Sequence, residues 1–72
     1  MMKYRAEVGA LGENRWSTNS MEYDTIEEAQ AWLKGLAGRW FGYNISRVVT
    51  VDTPIGEVVD REDSRIYQDY RG

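Results

Sequence analysis

TIEEAQAWLKGLAGRW, from Thr25 to Trp40, is the one strongly periodic segment of this 72-residue chain and its only candidate for a long helix. Thr25 followed by Glu28 is a capping box. The hydroxyl accepts from the Glu28 N–H and the carboxylate reaches back to the Thr25 N–H, so two donors that a helix start leaves unpaired find acceptors. Glu27 and Glu28 put negative charge at the positive end of the helix dipole, and Lys34 and Arg39 put cations near the other end. Ile26, Ala29, Leu33, Leu36, Ala37 and Trp40 recur in steps of three and four, which makes one apolar stripe. Gly38 suits a left-handed stop, so the helix is expected to end near Ala37. Gly35 inside it costs roughly 1 kcal/mol against Ala, and the expected reason for it is close approach to a neighbouring element. Trp32 lies beside the stripe. It reads either as a flank residue covering the edge of the core or as an exposed aromatic anchor for a partner.

Upstream of the helix, MKYRAEV alternates: Met2, Tyr4, Ala6 and Val8 share one face, Lys3, Arg5 and Glu7 the other. That is the pattern of a half-buried strand. GALGEN, 9–14, is a turn. RWST and MEY, 15–18 and 21–23, form a second strand broken at Asn19–Ser20, and a bulge absorbing one residue would keep Trp16, Thr18, Met21 and Tyr23 on one face. The two strands should pair as an antiparallel hairpin. Downstream, ISRVVTV, 45–51, is β-branched and apolar on both faces, which suits an interior strand. DTPIG, 52–56, is a turn in which Pro54 presets one backbone angle and Gly56 permits another. EVVD, 57–60, reads as a short fourth strand folding back onto the third. The order β-β-α-β-β predicts an α+β domain: an antiparallel sheet of three to four strands with one amphipathic helix packed on one face. The domain is expected to span 1–61, with 62–72 a charged C-terminal tail that is either a short helix or frayed. The other face of the sheet is expected to be solvated or to bind something.

Composition narrows the chemistry. A chain this short buries only about 60% of its unfolded surface. It has no Cys, hence no disulfide or thiolate–zinc staple, and no His, the commonest metal ligand and general base. Packing of three Trp, five Tyr and one Phe must supply its stability, and a core shared by a homodimer is one way to enlarge it. The net charge of −3 argues against nonspecific nucleic-acid binding without excluding a local basic patch. Neither a signal core nor an apolar run of membrane-spanning length is present, which sets the expectation of a cytoplasmic protein that meets no membrane. A His-based triad is impossible, and GALGEN lacks the GK[ST] ending of a P-loop. The acidic stretch from Asp60 fails the EF-hand template, because Arg65 and Arg71 stand where the turn Gly and the bidentate Glu belong. No catalytic residue, metal or cofactor is therefore expected.

Two surfaces carry the functional expectation. Trp32 and the tyrosines Tyr67 and Tyr70, beside the acidic stretch that starts at Glu57, make a protein-binding patch. Alternatively, Lys3, Arg5 and Arg47 on the outward face of the sheet contact nucleic-acid phosphates.

The succession of a short strand, a Trp on a second strand, YDTIEEAQAWL, and then SRVVTVDTPIGEVVD resembles small β-β-α-β-β proteins encoded by bacteriophages of actinobacteria. The likeness spans nearly the whole chain and brings no catalytic or binding residue with it. It implies a phage origin and action on a protein of the bacterial host. The expectation is thus a non-enzymatic protein-binding module acting on a host factor, with a small nucleic-acid-binding protein as the alternative.

Overall fold

The computed structural model describes residues 2–36 and 43–69. The elements are β1 (Tyr4–Gly9), β2 (Ser17–Thr18), α1 (Ile26–Leu36), β3 (Ile45–Thr50) and β4 (Ile66–Asp69). All strand pairs are antiparallel, in the order β2-β1-β3-β4. The α+β class and the element order agree with the reading of the sequence.

The start of α1 is capped by Thr25. Its Oγ1 accepts from the Glu28 N–H at 3.1 Å and donates to the Glu28 carboxylate at 3.3 Å. The carboxylate thus meets the cap's hydroxyl, where the sequence suggested the Thr25 N–H. Of the expected stripe, Ala29 and Leu33 are fully buried and Ile26 is exposed. Ala37, Gly38 and Trp40 lie outside the described residues. No close neighbour explains Gly35: among the described residues nothing stands within 4 Å of where its Cβ would be. The glycine that does accept a close approach is Gly9, which closes β1 where a turn was expected to begin. A Cβ there would come within 2.7 Å of a Val59 methyl and 3.1 Å of the Trp16 ring.

Register then divides the side chains. Ala6 pairs with Val48 and Val8 with Ser46, so these point together toward α1, and Ala6, Val8 and Val48 join Ala29 and Leu33 in one apolar cluster. Tyr4, Tyr23, Trp32, Tyr43 and Tyr67 pack around its edge. Glu7 pairs with Arg47 and Gly9 with Ile45, on the opposite face. There a second cluster of Trp16, Ile45 and Val59 is flanked by Leu11 and Ile66.

Three expectations are corrected here. First, Trp16 and Tyr23 do not share a face. Val8 pairs with Ser17 while Tyr4 bridges to Tyr23, so two extra residues, not one, lie between β2 and that bridge. An even insertion keeps the alternation, which leaves Trp16 away from the helix and Tyr23 under it. The insertion centres on Ser20, whose φ is +66°, with Asn19 Oδ1 accepting from the Met21 N–H. Second, residues 57–60 form no strand. Val59 instead exchanges backbone hydrogen bonds with the β1–β2 loop, accepting from Gly12 and donating to Glu13. The fourth strand is Ile66–Asp69, inside the stretch read as a tail, so those residues are neither a helical turn nor frayed. Arg47 pairs with Ile66 and Ser46 with Gln68, which makes Tyr67 the extra residue of a bulge. Third, the face away from the helix is not bare, because the segment 51–65 crosses it before β4 begins.

Candidate functional site

The face away from α1 is organised around Arg47, whose side chain is 1% exposed on interior strand β3. Its Nε donates to Glu7 Oε1 at 2.7 Å, directly across from it on β1. Its Nη1 donates to Glu57 Oε1 at 2.8 Å and to Asp63 Oδ2 at 2.6 Å, both on the crossing segment. Its guanidinium carbon lies 4.3 Å from the centre of the Trp16 ring, a cation–π contact. The other oxygen of Glu7 accepts from Arg5 Nε at 2.7 Å, and Arg5 also donates to the carbonyls of Val51 and Thr53. Arg65 donates to both Glu57 and Asp63. Three guanidiniums and three carboxylates thus hold the crossing segment to the sheet, and their charges cancel.

Titration reflects this arrangement. Burial alone would push the Asp63 carboxyl up, but hydrogen bonds from the Arg65 side chain and backbone and from Arg47 outweigh it and hold it at about 2. Hydrogen bonds from Arg47 and then Arg65 hold Glu57 below its ordinary value. Arg65 is raised, first by its hydrogen bond to Asp63.

Beside this network runs a groove of about 470 Å³. Arg5, Glu7, Arg47 and Trp16 form its polar floor. One wall is the 15–22 segment, the other the 51–56 turn. The local sequence dictates the walls. The left-handed Ser20 throws Met21 outward, and Pro54 with Gly56 (φ +97°) turns the chain so that Ile55 projects. Met21 is 55% and Ile55 76% exposed. The groove thus joins an apolar rim to a floor whose two guanidiniums are both engaged by carboxylates.

Protein-family models, curated proteins and solved structures were compared with this chain, and none matches.

The residues singled out from the sequence are dispersed. Trp32 and Tyr67 are half-buried against the apolar cluster under the helix, far in role from the groove. Tyr70 lies outside the described residues. Lys3 is exposed and pairs with Asp24 at 2.5 Å, which raises its pKa through that hydrogen bond. Arg5 and Arg47, read as surface cations for phosphate, are instead spent on carboxylates, and Arg47 is sealed from water. Among the described residues no cluster of unpaired cations occupies this face. No group of three or more His, Cys, Asp or Glu among them is placed to hold a metal ion. No helix among them is long and apolar enough to cross a membrane. The groove's own residues, Trp16, Met21 and Ile55, were not singled out as contacts. Their signal was present: Ile55 is an apolar residue set between Pro54 and Gly56 in a turn, where nothing local can bury it.

Proposed function

We propose that this chain is a non-enzymatic protein-binding module that engages a bacterial host protein through the groove, as a phage-encoded modulator. The observation that carries the reading is the pair Met21 and Ile55, exposed on opposite walls above a floor of paired charges. Exposed apolar side chains rimmed by polar ones mark interaction surfaces. The floor's guanidiniums are already engaged by carboxylates, which leaves little for a phosphate backbone to neutralise and favours a protein partner over nucleic acid. The resemblance to actinobacterial phage proteins directs the search to host lysate.

Capture from such a lysate, with the tag at either end, is expected to recover a partner that Ile55→Asp and Met21→Asp both lose. Trp32→Ala is expected to retain it; loss with Trp32→Ala and retention with the other two would move the contact surface to the helix flank. Recovery of no partner by any form overturns the reading. Salt-sensitive gel shifts of duplex or single strands would support the nucleic-acid alternative.

A further inference from the structure

We infer that the groove is self-complementary and that a second copy of this chain occupies it whenever no host protein does, an inference resting on the groove's being a protein-binding surface. A two-fold contact requires one patch to fit itself, with each residue meeting its counterpart in reverse. Three features of the groove satisfy that requirement. The first is shape: Ile55 projects from the rim beside the recess, so each copy offers both the knob and the hole.

The second is rim charge. Arg15 and Glu22 stand at the two ends of the 15–22 wall, both exposed, and neither has an ion-pair partner among the described residues. The nearby Lys3 forms its salt bridge with Asp24 and feels Glu22 only at longer range. Two such walls laid antiparallel about a two-fold axis set Arg15 of each copy against Glu22 of the other, so symmetry makes two ion pairs from two unpaired charges. A partner carrying an excess of either sign would satisfy one of these residues and oppose the other.

The third is net charge. The chain carries −3, which disfavours association of two copies in general. The excess negative charge is not lodged in the groove, where Arg5, Arg15 and Arg47 line the walls and floor beside only Glu7 and Glu22. Closing it covers Met21 and Ile55 on both copies, a gain that matters for a chain of this size.

Sedimentation across a dilution series tests this. The expected result is a concentration-dependent shift from the monomer mass toward twice that mass. Ile55→Asp is expected to weaken the dimer at least about tenfold, as replacing an apolar anchor with a charge does. Arg15→Glu and Glu22→Arg are each expected to weaken it roughly three- to tenfold. The double exchange restores it to within about twofold of the parent, because the pairs re-form with reversed polarity. All three positions are exposed, so an unchanged circular-dichroism spectrum verifies that each variant is folded. A monomer at every concentration overturns the inference, as does a dimer indifferent to Ile55→Asp or a double exchange that fails to restore. If the chain is monomeric yet lysate capture depends on Ile55, the dimer fails and the groove's reading as a protein-binding surface stands. If a groove dimer forms and no host protein is captured, the dimer stands and the host-protein reading fails.

Discussion

Leu33 and Arg47 lie on opposite sides of the same strands, and each is shut away from water. Leu33 is covered by apolar neighbours on α1, β1 and β3, in contacts that have no direction and do not respond to pH. Arg47 is covered by a segment without regular structure, and what holds that segment is a set of directed bonds to Glu57 and Asp63. The helix face needs only matching volume. The ionic face needs every partner present, because a buried charge that loses its partner retains its desolvation cost. The helix can be read from a short window of sequence, whereas the crossing segment is positioned by residues far apart in the chain. The first face therefore behaves as a scaffold, and the second carries the groove and the exposed Ile55.

The contrast is broken most directly at its two centres. Arg47→Leu is expected to cost about 3–5 kcal/mol by denaturant unfolding, since buried Glu7 and half-buried Asp63 lose their shared donor. Leu33→Ala is expected to cost about 2–5 kcal/mol, through lost burial and a cavity. Similar magnitudes conceal different physics. The Arg47 cost should shrink when Glu7→Gln is added, because a buried carboxylate left with Arg5 alone is then removed; the Leu33 cost should not. Equal behaviour of the two variants against Glu7→Gln would show that the faces are not distinct. Costs of this size approach the whole stability of a small domain, so the measurement belongs in a stabilising osmolyte.

Acid separates the faces next. The Asp63 carboxyl titrates at about 2 in the folded chain against an ordinary value of 3.8. A depressed folded value means that the stabilisation is complete above pH 4 and is lost as pH falls through about 2. It amounts to about 2 kcal/mol. Glu57, also depressed, adds to the loss in the same direction. Asp63→Asn is therefore expected to lower stability at neutral pH and to flatten its decline in acid. Leu33→Ala is expected to lower the whole profile without changing its shape. An Asp63→Asn profile that still falls as steeply between pH 4 and pH 2 would count against the crossing segment's being held by this carboxylate.

What could be read from sequence follows the same division. The helix, the Thr25 half of its cap, the alternation of β1 and the interior position of β3 depend on neighbours within a turn or a pleat, and the structure agrees with them. The misplaced features depend on partners distant in sequence. Val58 and Val59 look like strand residues, but Val59 is drawn away by the loop at Gly12 and Glu13 and by the space that Gly9 leaves open. Arg47 sits among apolar residues on β3 and reads as a surface cation; only the register that places Glu7 opposite, and the return of Asp63, reveal it as a buried centre. The groove was hidden for the same reason, since its walls are brought together by that crossing segment.

Two glycines give the finer test. Gly9→Ala places a methyl where Val59 and the Trp16 ring already stand, and these are packed side chains of the ionic face with little room to withdraw. It is expected to destabilise by at least about 1 kcal/mol through overpacking. Gly35→Ala meets open space among the described residues, at a helical position without positive φ. It is expected to stabilise by about 0.5–1 kcal/mol, by narrowing the unfolded ensemble and raising helix propensity. The signs are opposite because Gly9 is fixed by what crosses the sheet, whereas Gly35 is fixed by nothing on the described part of the helix face. The pair also probes the groove. Gly9→Ala pushes on Trp16, which forms part of the floor, and so should alter the fluorescence of that indole along with stability. Gly35→Ala should change stability alone. A Gly35→Ala that destabilised the chain, as measured by the denaturant midpoint, would reveal a neighbour packed on that turn of α1 and make the two faces alike.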